Sequence, residues 1–255
     1  MSEGNNDLSA HIVNAAHTCA KRSTPYFTRF LSEGEQAELK YLRLPAGVFA
    51  RYYAGEKNTE YQRAVLGVFP DRFSDIGEQQ LDTMYPVRAV TVTYRRQDEI
   101  NHRSVLGTLI SLGIDRDTVG DIYIGDGTAI VYLYDTVSDY VRDAVRKIGG
   151  VGVEVCEGVA AELPERQYKE LKLSVSSLRL DTVLGHIVSV SRGNALDKYI
   201  KAQRVSVNSV LCTDASKVLS PGDKIAVRGV GKFIFHSVDG EGRKGNIHIT
   251  VKKYI

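Results

Sequence analysis

Leu8, Ile12, Ala15, Ala16 and Cys19 recur at helical spacing near the start of the chain, so the first element is an amphipathic helix. Thr24 before Pro25 predicts a second helix with proline in its first turn. Ser32, with Glu35 three residues on, makes the capping box of a third that leads into Ala37, Leu39 and Leu42. Val48 to Tyr53 reads as a strand ended by Gly55, and Thr59 to Leu66 as a helix. Residues 1–85 are therefore expected to form a mixed α+β domain.

The next stretch changes period. A strand from Val87 to Arg95 precedes Asn101, a helix cap, after which Val105, Leu106, Leu109 and Ile110 form one face until Gly113 stops the helix. Strands Val119 to Ile124 and Thr128 to Tyr134 are joined by Gly125-Asp126-Gly127, a tight hairpin signal. A second helix carries Val137, Tyr140, Val141, Ala144, Val145 and Ile148 on one stripe, ends at Gly149-Gly150, and is followed by a strand with Val151, Val153 and Val155 alternating. The order βαββαβ over residues 86–158 is the split unit shared by ferredoxin-like folds and the RRM class of RNA binders. Tyr132 and Tyr134 point to one face of their strand; such tyrosines can stack on bases, or they can simply cover a sheet.

A polar, Pro-containing stretch around Glu162 to Lys172 sets off the last segment, with a linker expected over residues 159–175. Helical spacing returns at Leu180, Val183, Leu184, Ile187 and Val188, and again at Ala195, Leu196, Tyr199 and Ile200. Short strands follow: Val205 and Val207 before Asn208-Ser209, Lys224 to Arg228 after the Pro221-Gly222-Asp223 turn, and two around Asp239-Gly240-Glu241-Gly242. Residues 176–255 are expected to be a small αα-plus-β module, and the whole chain to be α+β in three segments.

Charge alters this picture only when it is divided. The 33 Lys and Arg against 31 Asp and Glu leave +2 over 255 residues, which excludes a histone-like polycation or an acidic tail protein. Residues 1–85 carry −2, residues 86–158 carry −3 and residues 159–255 carry +7. The last segment alone has the electrostatic footprint of a polyanion binder. Asn194, Lys198 and Lys201 lie opposite the apolar stripe of its second helix, where a solvated basic face is the simpler alternative to a phosphate contact. Arg192 at the helix start, Arg204 just past its end, and Arg228 with Lys232 add basic groups from neighbouring elements, and this convergence favours a binding surface.

Other chemistry finds little support. Cys19, Cys156 and Cys212 are far apart, without a Cys-x-x-Cys pair, and read as free thiols of a reducing cytoplasm. The six histidines show no metal-ligand spacing, and no Walker-type loop or Gly-x-Ser-x-Gly elbow occurs. Asp115 and Asp117, near Asp121, could be called an acidic pair, yet they lie in a loop after Gly113, where turn-forming Asp is expected. No apolar stretch reaches the ~18 residues of a membrane span, and the opening MSEGNNDLSA lacks a signal-peptide core. A soluble cytoplasmic protein without catalytic residues, cofactor or metal is expected.

The run Ser177-Leu-Arg-Leu-Asp181, then Ser191-Arg192, Val205-Ser-Val-Asn208 and Pro221-Gly-Asp223, resembles the S-four RNA-binding domain, the module first recognised in ribosomal protein S-four. Gln203 stands where that pattern has Gly, and the second helix is one residue longer than usual. His102-Arg-Ser-Val-Leu-Gly-Thr-Leu-Ile-Ser-Leu-Gly113, Gly120-Asp-Ile122 and Arg228-Gly-Val-Gly-Lys-Phe233 are similar to segments of the YlmH-like bacterial proteins. The resemblance implies a non-catalytic protein that binds ribosomal RNA, and tRNA with it, on the large ribosomal subunit during ribosome-associated quality control. It also implies a link to cell division, and a protein partner for residues 1–85 is an alternative role. Arg179 joins Arg192, Lys198, Lys201, Arg204, Arg228 and Lys232 as the expected RNA contacts. Arg179-Leu-Asp181 also resembles the Arg-Leu-Asp of pseudouridine synthases, whose Asp is the nucleophile, but Leu178 replaces their Gly and Thr182-Val-Leu-Gly lacks their Thr-x-Gly ending. A capping or salt-bridging role for Asp181 is favoured. Gly149-Gly-Val-Gly152 matches the Gly-x-x-Gly of KH domains but joins a helix to a strand, which reads as a helix stop.

Overall fold

The computed structural model describes residues 3–58, 61–159, 162–166, 168–242 and 245–254. The chain is mixed α+β and divides into two compact units, Met1–Glu165 and Arg166–Ile255.

In the first unit, α1 (Glu3–Arg22) buries Ile12, Ala16 and Cys19 against Leu31, Leu66 and Val68. Its partners are β1 (Tyr26–Leu31), α2 (Glu33–Leu39), β2 (Val48–Tyr53) and β3 (Ala64–Pro70), the strands forming an antiparallel sheet in the order β1-β3-β2. The capping box of α2 is present, the Ser32 amide donating to Glu35 Oε2 at 2.7 Å and the Glu35 amide to Ser32 Oγ at 3.4 Å. Two expected helices are replaced by strand. The segment after Thr24-Pro25 is β1, because Tyr-Phe-Thr-Arg-Phe-Leu is rich in strand formers and pairs with the wholly buried β3. Of the helix expected over 59–66, residues 59 and 60 lie outside the described residues. Ala64 to Leu66 begin β3, an apolar run with no polar face, as a central strand requires.

After the short α3 (Glu78–Asp82) come β4 (Val87–Thr93), α4 (His102–Ser111), β5 (Val119–Ile124), β6 (Thr128–Tyr134), α5 (Asp135–Ala144), β7 (Lys147–Ile148), β8 (Val151–Gly152) and β9 (Glu154–Glu157). The four long strands order as β5-β6-β4-β9, all antiparallel, which is the arrangement of a split βαββαβ unit. Ile148 pairs with Val151 in the β7–β8 hairpin instead of ending the second helix, so the fourth strand begins at Glu154.

The two faces of this sheet are filled differently. Val90, Val92, Val131 and Leu133 pack under Val105, Leu109 and Val141 of α4 and α5. On the opposite face, Tyr123, Ile130 and Tyr132 meet Phe30, Val65, Phe69 and Tyr85 from the first 85 residues. A polar clamp fixes this contact: the buried Asp121 carboxylate accepts from the Gln62 amide at 2.8 Å, the Arg63 amide at 3.2 Å and Asn58 Nδ2 at 3.3 Å. Arg63 donates in turn to the carbonyls of Phe30 (2.7 Å) and Val119 (3.0 Å). Burial, with the Arg63 charge beside it, pushes the Arg116 guanidinium down to about 10. Asp121 is thus a hydrogen-bond hub, and segments 1–85 and 86–158, expected as separate domains, lie within one compact unit.

The second unit holds β10 (Tyr168–Val175), α6 (Leu180–Ile187), α7 (Arg192–Ala195), β11 (Val205–Val207), β12 (Val210–Leu211), β13 (Lys224–Val227), β14 (Gly231–Glu241) and β15 (Ile247–Tyr254). Its antiparallel sheet has the order β10-β15-β14-β13-β11-β12. Residues 168–175, within the expected linker, are an edge strand paired with β15 along eight residues. Leu171, Leu173 and Val175 turn towards the core at alternate positions while Lys172 and Ser174 face out, the period of a half-buried strand. The last turn comes later than expected: Asp239 lies inside β14, where the hydroxyls of Ser237 and Thr250 donate to it, and the Gly242 amide closes the turn on the Asn246 carbonyl at 2.7 Å. α6 and the helix after it pack Leu180, Val183, Leu184, Ala195 and Ile200 on Phe233, Phe235, Ile249 and Val251. This apolar seam holds the basic side chains on the outside.

Candidate nucleic-acid interface

Dividing the charge at the unit boundary sharpens the asymmetry. The first unit has 17 Lys and Arg against 24 Asp and Glu, net −7, and the second 16 against 7, net +9.

The best-organised part of the basic unit is built round Asp181, in the first turn of α6. Its side chain is 4% exposed and receives two guanidinium groups. Arg192, at the start of α7, donates from Nε at 2.8 Å and Nη2 at 2.7 Å, both to Oδ2. Arg179, just before α6, donates more loosely, from Nε to Oδ1 at 3.4 Å and from Nη2 to Oδ2 at 3.3 Å. Burial opposes the charge on Asp181, but the hydrogen bonds from Arg179 and Arg192 outweigh it and hold the carboxyl below its ordinary range. Arg179 and Arg192 remain 39% and 58% exposed. One buried anion therefore orients two cations whose outer edges face water.

Arg192 opens a helix whose Ser191 cap accepts from the Asn194 amide at 3.3 Å. Beyond Ala195 the helix widens to a π turn over Leu196–Ile200, in which the Lys201 amide donates to Leu196 O and the Arg204 amide to Tyr199 O, both at 2.8 Å. A π turn absorbs one extra residue while the helix on either side keeps its facing. Here Ala195 and Ile200, five apart, are both buried, while Lys198 and Lys201 stay exposed. Lys201 Nζ pairs with Asp197 at 2.8 Å, a surface ion pair of small worth. Gln203, where the S-four pattern has glycine, adopts the left-handed conformation with φ +54°. The turn is therefore kept without glycine, at the cost of local strain.

Past that turn the structure brings Arg204 to Arg228. Arg204 Nη2 donates to the Arg228 carbonyl at 3.0 Å, and its guanidinium lies 5.6 Å from the Tyr199 ring centre. Arg204, Arg228 and Lys232 line one groove. The seven basic candidates thus fall into the Arg179–Arg192 pair, the Arg204–Arg228–Lys232 group, and Lys198 with Lys201 on the helix between them in sequence.

The remaining motif residues have a structural role that their polarity alone did not disclose. Asn208 Nδ2 donates to Asp223 Oδ1 at 2.7 Å, Asn208 Oδ1 accepts the Lys224 amide at 2.9 Å, and Asp223 Oδ2 accepts the Ser220 amide at 2.8 Å. These bonds tie the β11–β12 hairpin to the turn before β13.

The fold corrects one of the two candidate stacking residues. Tyr132 is wholly buried beneath the sheet of the first 85 residues, its hydroxyl donating to the Glu56 carbonyl. Gly55, at φ +114°, lies against the Tyr132 ring so closely that a Cβ would sit 2.1 Å from it. Tyr134 is half-buried on the same face and carries the Arg29 guanidinium 4.5 Å above its ring. Among the described residues, no group of three His, Cys, Asp or Glu is placed to hold a metal ion, and no helix is long and apolar enough to cross a membrane.

Comparison with known proteins adds three findings. Residues 82–162 match the family described as "Putative RNA-binding domain in YlmH". The chain is 27% identical over 232 residues to the ribosome-associated protein quality control protein P2 of Bacillus subtilis (strain 168), covering 89% of this chain and 86% of that protein. It is similar in fold, at TM-score 0.51 and 21% identity, to the cell division protein ylmH from Streptococcus pneumoniae, over 64% of this chain and 94% of that one.

Proposed function

We propose that this chain is a YlmH-like, RNA-binding, ribosome-associated protein whose last 90 residues grip structured ribosomal RNA, together with tRNA, on the large subunit. Asp181 carries this reading, because it holds Arg179 and Arg192 in fixed, outward-facing positions. A planar guanidinium so oriented can bond two phosphate oxygens, and part of the entropy of ordering it has already been lost on folding. Such contacts follow the shape of an RNA without reading its base order. Lys198, Lys201, Arg204, Arg228 and Lys232 extend the same attraction over neighbouring elements. A role in ribosome-associated quality control follows from the relative's name. The same cluster weighs against catalysis at Asp181, whose oxygens are buried and already bound to two arginines rather than open to an attacked atom.

The match over residues 82–162 favours a second contact, from the central segment. That contact would use its loops or helix surfaces, since its open-looking sheet face is covered.

Cosedimentation with large ribosomal subunits across a salt series tests the proposal. Binding that weakens steeply as salt rises is expected. Absent or salt-insensitive binding counts against it.

A further inference from the structure

In addition to the Asp181 cluster, the basic unit has a groove of about 510 Å³ lined by Arg204, Leu211, Arg228, Gly229, Val230 and Lys232, among others. Three features set it apart from a generally basic surface. Leu211 keeps half its area exposed at the groove wall, an apolar side chain that folding has not covered. Arg204 is fixed as a flat platform by its bond to the Arg228 carbonyl and its place over Tyr199. The turn that lines the groove carries glycine on either side of Val230: Gly229 and Gly231 have φ +85° and +141°, and a Cβ on Gly229 would come 2.9 Å from Arg204 Nη2. Side chains there would both strain the turn and displace the platform.

An apolar wall, a held guanidinium plane and further cations at the rim suit a ligand with a flat face and an attached anion. We propose that this groove receives a single unstacked nucleotide of the bound RNA, its base lying between Leu211 and Arg204 and its phosphate meeting Arg228 and Lys232. The volume is that of a small-ligand pocket, enough for one nucleotide and too little for a folded segment of RNA. Bulges and loops are where RNA offers such bases, and guanidinium planes are among the surfaces on which they stack. The inference rests on the RNA-binding reading and adds to it a preference for RNA with an extruded base.

The test uses the full chain and two RNA duplexes of equal length, one fully paired and one with a single 2-aminopurine bulge, followed by fluorescence anisotropy and 2-aminopurine emission. The bulged RNA should bind about tenfold more tightly, as one stacked base allows, with a change in emission on binding. Leu211→Ser, at a half-exposed position whose backbone pairing with Ser206 a serine can keep, should bring the two affinities together while leaving the paired duplex nearly unaffected. Arg204→Gln should also reduce the preference, but it should weaken both RNAs as well, because it removes one of the cations of the RNA-binding surface. Equal binding of both RNAs by the unaltered protein, or a preference that survives Leu211→Ser, would overturn the groove assignment alone. Failure to bind either RNA would overturn the RNA-binding reading with it.

Discussion

The central sheet has the topology of an RNA-binding fold and the C-terminal unit has the charge of a polyanion binder, but they treat their functional-looking faces in opposite ways. The βαββαβ sheet has the strand order of an RNA-binding fold, yet the face carrying Tyr132 is sealed by Phe30, Val65 and Phe69, in a unit of net charge −7. The C-terminal unit leaves Arg179 and Arg192 exposed round a single buried carboxylate, in a unit of +9. Topology alone is therefore a weak guide to an interface. What distinguishes the second region is charge held in place on a surface that nothing in its own unit covers.

This contrast can be broken most forcefully at Tyr132. If its role is packing, Tyr132→Ala should destabilise the protein by about 3–5 kcal/mol in urea unfolding, because it leaves a large cavity between two sheets. Tyr132→Phe should cost about 1 kcal/mol and leave RNA affinity unchanged, and lost RNA affinity in a folded Tyr132→Phe variant would contradict the assignment. Next in size, Arg179→Ala with Arg192→Ala should weaken RNA binding by about 2–3 kcal/mol and lower the slope of log affinity against log salt by about two, measured by filter binding.

A smaller effect concerns Asp181 and pH. Its carboxyl ionises more readily in the folded protein than in the unfolded chain, so the stabilisation is present above the ordinary carboxylate pKa of about 3.9 and is lost as pH falls through the lower folded value. Asp214 and Asp239, held down by hydrogen bonds from Ser216, and from Ser237 and Thr250, act in the same direction. The urea midpoint should drop between pH 5 and pH 3, and Asp181→Asn should reduce that drop without removing it. Smallest of all, Gln203→Gly should raise stability by about 1 kcal/mol in thermal unfolding by relieving the left-handed strain, with RNA affinity kept.

Much of the fold was legible because its signals are local. The capping box at Ser32, the helix cap at Asn101 and the strands at Val48–Tyr53, Val119–Ile124 and Thr128–Tyr134 all stand where their patterns placed them. The errors arose where pairing across the chain overrides a local cue. Thr24-Pro25 looks like a helix start until Tyr26–Leu31 finds β3, and residues 168–175 look like a linker until β15 supplies eight residues of pairing. At the candidate site, residue types and order pointed to Arg179 and Arg192, but the bonds of both to one buried carboxylate depend on two helices folding against each other. The extra helical residue was visible in the spacing. Its absorption by a π turn, leaving Lys198 and Lys201 outside, was not. The burial of Tyr132 was least accessible, since it depends on Phe30 and Phe69, more than 60 residues earlier in the chain.

Ultraviolet crosslinking of the full chain to ribosomal RNA, with the crosslinked peptides identified by mass spectrometry, tests whether the C-terminal unit provides the main RNA-binding surface. Crosslinks concentrated on peptides containing Arg179, Arg192, Lys198 to Arg204 and Arg228 to Lys232 are the predicted result. Crosslinks concentrated within residues 86–158, with the C-terminal peptides unmodified, would contradict it.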